Sequence, residues 1–332
     1  MMHKPVVVLT HHLLPDVQRD MASRWNLIQV EGGESDLSGV LAVHPDARAL
    51  ISFLSEPVTR QVLENGPGLK IIANYAVGYN NIDVQSAMQR GIWVTHTPDV
   101  LTAATADQTM ALLLAVARRV VEGDRLVRSG GFHGWASDLM LGRELNGAVM
   151  GIVGMGRIGT AVAARAEAFG MRIIYSSRSR KPALENERDY RFVEFSELVE
   201  TADVISLHLP YSKAVHHLVN RDVLKQMKAD AILINVARGA LVDEAALADC
   251  LRKKCIGGAG LDVYEHEPQV NPLLCSLHNV VLAPHTGSAT HYARERMGRM
   301  VEESVAAVLA GERPPYLVRE WRDRLDQEKP RV

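Results

Sequence analysis

Short apolar runs alternate with helical patterns through the first hundred residues. Four runs rich in Val and Ile, most of them bounded by turn residues, lie at 5–10, 49–54, 69–76 and 91–98. Helix-like segments such as 57–65 and 82–90 lie between them. Because alternating strands and helices are typical of a parallel sheet covered on both faces, this pattern predicts an α/β domain.

The spacing of apolar residues changes after Asp99. The segment from Thr102 to Val127 contains no proline, and Gly123 is its only glycine. Its apolar side chains recur at helical intervals and include Met110, Leu113, Leu114, Ala117 and Val120. This pattern predicts one long helix whose apolar middle packs between domains or between subunits.

A second alternating series begins near Ala148. Its predicted strands cover 148–154, 172–176, 203–209, 231–237, 258–263 and 279–284. Six strands separated by helices predict a doubly wound parallel sheet. A helical run from Thr290 to Leu309 follows, and the sequence "GERPPY" ends it.

Length and composition limit the class of protein. The 332 residues suggest about two domains, and 47% hydrophobic with 23% charged residues is typical of globular proteins. The net charge of −2 gives no attraction of the whole chain to nucleic acids or anionic membranes. No apolar stretch approaches the ~20 residues that span a bilayer, and the N-terminal segment lacks signal-peptide features. We therefore expect a cytoplasmic protein without a nucleic-acid or membrane partner.

Cysteine and histidine positions give no indication of a metal site. The three cysteines are an odd number without metal-like spacing, which fits a reduced compartment. Two histidine pairs, at 11–12 and 216–217, are adjacent in sequence, and adjacent residues cannot place two rings on one helical face. Since no H-E-x-x-H sequence occurs either, we expect no metal in the functional site.

The sequence "GIVGMGRIG" contains Gly154, Gly156 and Gly159 in G-x-G-x-x-G spacing. A Val/Ile strand precedes it, and an Ala-rich helix, predicted over 160–169, follows it. In such a unit the glycines allow a tight turn, close approach to a pyrophosphate, and close packing of helix on strand. The motif predicts a dinucleotide site at a helix N-terminus. The alternative is a structural turn without a ligand.

Charged residues follow three predicted strands of the same domain. Arg238 comes after one strand, Asp262 and Glu267 after another, and His285 after a third. Ligands bind at this edge of doubly wound sheets, so these side chains could converge beside a dinucleotide. Hydride transfer to a 2-oxo acid needs a proton donor such as histidine, a carboxylate that orients it, and an arginine that holds the substrate carboxylate. Each residue taken alone could instead be a structural or solvated group.

The segment "YSSRSRK" (175–181) follows the second predicted strand of this domain. Ser177 stands where an acidic residue would bind the ribose 2′-hydroxyl of NAD. The absence of that acid, with Arg178 and Arg180 nearby, predicts a preference for NADP, whereas NAD remains possible. The alternative is a solvated basic loop.

Several motifs together resemble one family, the D-isomer-specific 2-hydroxyacid dehydrogenases, and within it the glyoxylate/hydroxypyruvate reductase branch. They are "NYAVGYNNID" (74–83), "TAATADQTMALLLAVARR" (102–119), "GIVGMGRIG", "LINVARG", "LDVYEHEP" and "PHTGSAT", in the order of the family. The resemblance implies a Rossmann coenzyme domain, 101–289, inserted into a flavodoxin-like substrate domain formed by 1–100 and 290–332. It also implies a homodimer through a helix and arm over 102–145.

The resemblance implies roles for individual residues. Arg238, Glu267 and His285 would be catalytic, with His285 as the acid and base. Val77 and Gly78 would present backbone N–H groups to the substrate near Leu54, and Arg238 would also bind the substrate. Trp135 of the arm would reach the active site of the partner, although relatives often carry proline where this chain has Ser137. The expected cofactor contacts are Thr105, Gly154, Met155, Gly156, Arg157, Ile158, Gly159, Ser177, Arg178, Ser179, Arg180, Leu209, Pro210, Val236, Ala237, Asp262, His285 and Gly287.

The function that this resemblance implies is NADPH-dependent reduction of a small 2-oxo acid, glyoxylate or hydroxypyruvate, to a D-2-hydroxy acid. Glu267 argues against formate, because the formate branch carries glutamine there. Two alternatives stay open. The same fold could act on another acid, such as 2-ketogluconate, another D-2-hydroxy acid or phosphite, or the chain could be a dinucleotide-sensing protein that resembles the corepressors.

Overall fold

The computed structural model describes residues 4–30 and 36–328, and in it helices cover the faces of two parallel β-sheets. The chain divides into two units, one formed by residues 1–101 and 290–332 and the other by residues 102–289. Among the described residues, no helix combines the length and the apolar character that crossing a membrane requires.

The elements are numbered in chain order. The strands are β1 (Val6–Leu9), β2 (Asn26–Gln29), β3 (Ala47–Ser52), β4 (Ile71–Asn74), β5 (Trp93–Thr95), β6 (Val149–Val153), β7 (Arg172–Ser176), β8 (Arg191–Phe192), β9 (Val204–Leu207), β10 (Ile232–Asn235), β11 (Gly258–Leu261) and β12 (Val280–Leu282). The helices are α1 (Pro15–Arg24), α2 (Leu37–Val43), α3 (Arg60–Asn65), α4 (Val84–Gln89), α5 (Thr102–Ala117), α6 (Val120–Arg128), α7 (Arg157–Ala168), α8 (Pro182–Arg188), α9 (Phe195–Thr201), α10 (Arg221–Gln226), α11 (Glu244–Arg252), α12 (Pro272–Ser276), α13 (His291–Leu309) and α14 (Arg319–Glu328).

The first unit contains a five-stranded sheet of order β2-β1-β3-β4-β5 with all neighbours parallel, which is the flavodoxin-like order. β1 and β4 are buried along their whole length, as expected for apolar strands between two layers of helices. The C-terminal part of the chain completes the edge at β5. The N–H of Val318 donates to the Val94 carbonyl at 3.1 Å, and the Trp93 and Trp321 rings lie 4.4 Å apart.

The second unit contains a seven-stranded parallel sheet of order β12-β11-β10-β9-β6-β7-β8. α5 and α7 contribute to the apolar core on one face, and α9, α10 and α11 contribute to the core on the other. The strand order reverses between β6 and β9, and such a reversal opens a crevice at the carboxyl ends of the strands. The predicted fold of two doubly wound parallel sheets is therefore confirmed.

Several elements differ from those predicted. The first sheet has five strands, whereas four apolar runs were predicted, because none of these runs covers β2. The sheet of the second unit has seven strands rather than the six predicted, because β8 adds an edge strand of only two residues, too short to show a pattern. The segment 102–127 is two helices rather than one. Arg143 donates its N–H to the Ala117 carbonyl at 2.7 Å, and Arg119 adopts a left-handed φ of +54°, so α5 ends and α6 begins anew.

Candidate active site

The glycine turn joins β6 to α7. Gly154 has a φ of +100°, which side chains rarely adopt, and a Cβ there would lie 2.7 Å from the His208 carbonyl oxygen. A Cβ on Gly159 would lie 2.2 Å from the Gly154 carbonyl oxygen, so the helix lies directly on the strand. At Gly156, by contrast, a Cβ would meet no atom within 4 Å beyond its own stretch of chain. The turn therefore has open space where a phosphate group would approach.

The N-terminus of α7 faces this open space. Gly156 is its N-cap and carries no side chain that could occupy the first N–H groups. Arg157 is exposed and Ile158 is partly buried. Met155 is only 2% exposed and belongs to the core, so its backbone alone is available to a ligand. These features fit the pyrophosphate of a dinucleotide.

The loop after β7 is held by an ion pair. The Tyr175 hydroxyl donates to Glu185 Oε1 at 2.7 Å and accepts the Lys181 N–H at 2.6 Å. Arg180 pairs with the same carboxylate, with Nε 3.2 Å from Oε1, and this pairing lowers the pKa of Glu185. Arg178 is exposed, and its side chain makes no hydrogen bond or ion pair in the described part of the chain. Of the two arginines, only Arg178 is thus available to an anion.

Other residues predicted to contact the cofactor lie at one edge of the same sheet. Ser177 follows β7, and its hydroxyl donates to the Ser179 carbonyl at 2.7 Å. Three further groups follow β9, β10 and β12, namely Leu209 with Pro210, Val236 with Ala237, and Gly287. Thr105 of α5 is buried, and its methyl carbon would lie 3.4 Å from a Cβ on Gly287.

A buried asparagine shapes the turn that carries Arg238. Asn235, at the end of β10, accepts the Ala237 N–H at 3.0 Å and donates from Nδ2 to the Arg238 carbonyl at 2.9 Å. Next in the chain, a Cβ on Gly239 would lie 1.9 Å from the Tyr264 carbonyl carbon, so this turn touches the loop after β11. Sequence reasoning missed Asn235, although a polar residue ending an apolar strand was the available signal.

Glu267 and His285 form a hydrogen-bonded pair in the loops after β11 and β12. Glu267 Oε2 lies 2.7 Å from His285 Nδ1, and Oε1 accepts the Tyr264 N–H at 3.0 Å. Burial acts to raise the pKa of Glu267, but the hydrogen bond and charge of His285, with smaller effects from Tyr264 and Arg238, lower it overall. Burial lowers the pKa of Arg238, against the charge of Glu267. The structure thus brings together the three residues predicted from separate strand ends.

Asp262 supports the turn on which His285 stands. It is 1% exposed, and its Oδ1 accepts the Thr286 N–H at 2.7 Å and the Thr286 hydroxyl at 3.1 Å. Its Oδ2 accepts the Gly287 N–H at 2.7 Å. His285 itself has a left-handed φ of +53°. Asp262 therefore fixes the backbone of this turn, in addition to any contact with the nicotinamide.

His208 is a second residue that sequence reasoning missed, although it directly follows the apolar strand β9. Its Nε2 lies 2.8 Å from Ser206 Oγ, and its buried Nδ1 has no hydrogen-bond partner among the described residues. Burial lowers the pKa of His208 to about 3. This imidazole, whose own backbone lies against Gly154 of the glycine turn, therefore stays neutral at physiological pH.

Acidification is expected to destabilise the protein through His208. The unfolded chain takes up a proton on this histidine below about pH 6.5, whereas the folded chain does so only near pH 3. Between these values the free energy of unfolding should fall by up to about 1.4 kcal/mol per pH unit through this group. His208→Gln should remove that part of the slope, measured by urea unfolding across this range. Exposed His278→Gln is the control and should keep the wild-type dependence of the unfolding free energy on pH. The expectation is contradicted if His208→Gln shows the same dependence as the wild type.

The residues predicted to bind substrate through their backbone lie in the first unit. Val77 and Gly78 follow β4, and Leu54, which is partly buried, follows β3. The carbonyl oxygen of Val77 lies 2.9 Å from His96 Nδ1, and that of Gly78 accepts from Asn74 Nδ2 at 2.8 Å. The N–H groups of Val77 and Gly78 donate no hydrogen bond to another described residue. The loop is therefore fixed through its carbonyls, with two donors available to an anion.

Apolar side chains are exposed on α6 and on the arm that follows it. Trp135 is 85% exposed. Nine large hydrophobic side chains are exposed among the described residues, and six of them lie here, namely Val120, Val127, Phe132, Trp135, Leu139 and Leu141. Such a concentration is typical of a surface that another chain covers.

The expectation for adjacent histidines applies to a helical face, and His216 and His217 do not lie on one. Their rings are stacked with centroids 3.9 Å apart, because the pair lies outside any α-helix and His217 has a φ of +50°. Together with Glu265 they form a group of possible metal ligands.

The arrangement around Glu267 can move one proton and hold one carboxylate. A histidine whose Nδ1 is paired with an ionised carboxylate exchanges its proton through Nε2. A guanidinium beside them can bind a carboxylate with two parallel hydrogen bonds. In a unit that also carries the open glycine turn, such a group suits reduction of a carbonyl adjacent to a carboxylate.

Comparison with known proteins agrees with this chemistry. Residues 110–287 match the family model described as D-isomer specific 2-hydroxyacid dehydrogenase, NAD binding domain. The chain is 54% identical over 274 residues to the glyoxylate reductase of Thermococcus litoralis, which covers 81% of this chain and 83% of that protein.

Solved structures of similar proteins were also compared with this chain. A protein from Thermus thermophilus superposes with a TM-score of 0.89 at 45% identity, covering 94% of this chain and 99% of that one. The NADPH-dependent glyoxylate/hydroxypyruvate reductase of Sinorhizobium meliloti, solved with NADP and malonate, gives a TM-score of 0.85 at 32% identity and covers 96% of this chain and 97% of that one. The chain therefore belongs to the D-isomer specific 2-hydroxyacid dehydrogenase family and is an NAD(P)-dependent oxidoreductase.

Proposed function

We propose that this protein reduces glyoxylate to the achiral 2-hydroxy acid and hydroxypyruvate to the D-2-hydroxy acid, with NADPH as the preferred cofactor and His285 as the acid. The pairing of Glu267 with His285 at 2.7 Å, in the same unit as an open glycine turn, is the observation that carries this proposal. The names of the similar proteins support the choice of substrate.

His285 donates the proton in this proposal. Glu267 accepts the hydrogen bond from Nδ1, which leaves Nε2 to give its proton to the carbonyl oxygen of the substrate and to take it back in the reverse reaction. Arg238 binds the substrate carboxylate and polarises the carbonyl. The reduced nicotinamide, when bound, supplies the hydride. Asp262 keeps the 285–287 turn in place throughout.

Val77 and Gly78 offer their N–H groups to a substrate carboxylate in this proposal. The carbonyl contacts to His96 and Asn74 keep the loop in one conformation, so little ordering is needed when an anion binds. Leu54 contributes an apolar contact to a small substrate.

A comparison of substrates tests this function. Initial rates of NADPH oxidation are measured with glyoxylate, hydroxypyruvate and 2-ketogluconate, and we expect higher kcat/KM for the first two. Faster turnover of 2-ketogluconate would assign the enzyme to a bulkier acid, and turnover of phosphite with NADP would assign it to phosphite oxidation. Tight NADPH binding without turnover of any of these compounds would favour a dinucleotide sensor.

The proposed preference for NADPH rests on the loop after β7. Position 177 is a serine, so it carries no carboxylate that would repel a 2′-phosphate. The Arg178 side chain makes no hydrogen bond or ion pair with the described residues, which leaves it available to that phosphate. Arg180 was predicted to contribute as well, but its pairing with Glu185 favours a role in holding the loop. We therefore assign the phosphate contact to Arg178.

The proposal includes a homodimer formed through α6 and the arm. The six exposed apolar side chains between Val120 and Leu141 would be covered by the same surface of a second copy, as in a two-fold interface. We expect Val127→Asp to convert the dimer to a monomer in sedimentation analysis, because it buries a charge. Val43→Asp, at an exposed valine outside this surface, is the matched control, and an unchanged dimer in Val127→Asp would argue against this interface.

A further inference from the structure

We infer that His216, His217 and Glu265 form a binding site for a divalent transition-metal ion such as Zn²⁺. The side chains come from two separate loops of the coenzyme unit, one after β9 and the other after β11. Each offers one ligand atom, and these atoms lie within 4.8 Å of one another. The inference concerns a second site and does not depend on the proposed reaction.

The backbone holds two of the ligands in place. His217 donates its N–H to the Ala240 carbonyl at 2.9 Å, and its Nε2 lies 2.6 Å from Glu265 Oε1. Glu265 donates its own N–H to Glu244 Oε2 at 3.0 Å. The loops that carry the ligands are therefore anchored independently of the ligand side chains.

His216 supplies the third ligand from the exposed side. Its ring stacks on that of His217 with an interplanar angle of 21°, and among the residues that the structure describes its Nδ1 makes one long contact, 3.4 Å to the Tyr211 hydroxyl. At tetrahedral angles, two ligand bonds of about 2.1 Å hold their ligand atoms about 3.4 Å apart, so these atoms must draw together by up to about 1.4 Å. The His216 ring must also turn out of its stack, because a bound ion lies in the plane of each imidazole that holds it. The exposed His216 ring can make that movement.

The donor set determines the class of ion. Two neutral imidazoles and one carboxylate carry a net charge of −1, and they suit zinc, nickel or copper rather than magnesium or calcium, which prefer oxygen ligands. Since His216 is exposed and the other two side chains are partly exposed, an ion can enter from solvent and keep water as a further ligand.

Zinc titration of tag-free protein tests the site. In isothermal titration calorimetry near neutral pH we expect one equivalent to bind, and we expect His216→Ala and Glu265→Gln each to weaken binding by more than about tenfold, because even loss of groups behind the ligands costs 10–100-fold. Exposed His291→Ala, outside the group, should bind as the wild type does. Melting curves recorded with a chelator verify that each variant is folded.

Exposed thiols are the main competing ligands. The titration is therefore repeated with Co²⁺ in wild-type protein and in a Cys255→Ser, Cys275→Ser double variant, and the visible absorption of bound Co²⁺ is recorded. The inference expects the same spectrum in both, without thiolate charge-transfer bands. Absence of saturable binding at one equivalent, unchanged affinity in both ligand variants, or a spectrum lost with the cysteines would each overturn it.

Discussion

Substitution of His285 by glutamine is expected to lower kcat for glyoxylate reduction by roughly 10²–10⁴-fold, the usual contribution of a positioned acid. Glutamine keeps most of the volume and can still hydrogen-bond to Glu267, but it cannot donate a proton to the carbonyl oxygen. Binding of NADPH should weaken far less than kcat falls, because the glycine turn and α7 are untouched and His285 is only one of the expected cofactor contacts. Steady-state kinetics with glyoxylate and fluorescence titration with NADPH measure the two quantities.

Two further variants test whether the loss of rate is specific to the Glu267–His285 pair. Glu267→Gln should also lower kcat, because the ring loses the charged partner at 2.7 Å that fixes its orientation. His278→Gln, at an exposed histidine before β12, should leave the rate as it is. Turnover close to that of the wild type in folded His285→Gln would remove the histidine from the proposed mechanism.

Substitution of Arg178 by alanine is expected to reduce the preference for NADPH over NADH by roughly ten- to a hundredfold. A charge-assisted contact between arginine and phosphate contributes about 1.5–3 kcal/mol, and each 1.4 kcal/mol is a factor of ten. We expect kcat/KM to decrease with NADPH and to stay unchanged with NADH, since NADH has no 2′-phosphate. Kinetics with both cofactors at saturating glyoxylate measure it.

Arg180→Ala is the matched control for this result. Its guanidinium pairs with Glu185 and lies over the Phe192 ring at 5.6 Å, so its removal should loosen the loop and affect both cofactors similarly. If kcat/KM with NADPH falls selectively in Arg180→Ala and not in Arg178→Ala, then Arg180 contacts the phosphate and Arg178 does not. A wild type that prefers NADH would refute the assignment of the loop to phosphate recognition.

Much of the fold could be predicted because buried parallel strands are apolar along their length. β6, β9 and β10 consist mostly of Val, Ile and Leu, and the pattern located each of them within a few residues. β8 has only two residues and no pattern to detect. The end of α5 at Ala117 depends on Arg143, 26 residues later in the chain, and no local periodicity contains such a contact.

The candidate site likewise has features that the sequence could predict and features that it could not. Arg238, Glu267 and His285 could be proposed together because parallel strands bring their carboxyl ends to one edge. The pairing of Arg180 with Glu185 could not, because both arginines of "SRSR" look equally available in sequence. The stacking of His216 on His217 depends on one left-handed residue, which the sequence does not indicate.

The first unit is interrupted in sequence, and this affects how the chain folds during synthesis. Its β5 edge is completed by Val318 and Trp321, which follow the whole coenzyme unit. At 5–20 residues per second, the ribosome needs roughly ten to fifty seconds to reach the end of the chain after residue 101. During this time residues 102–289 can fold as a unit, while the nascent N-terminal sheet still has an open edge. Premature termination before α14 would therefore leave a complete coenzyme unit joined to an aggregation-prone partner.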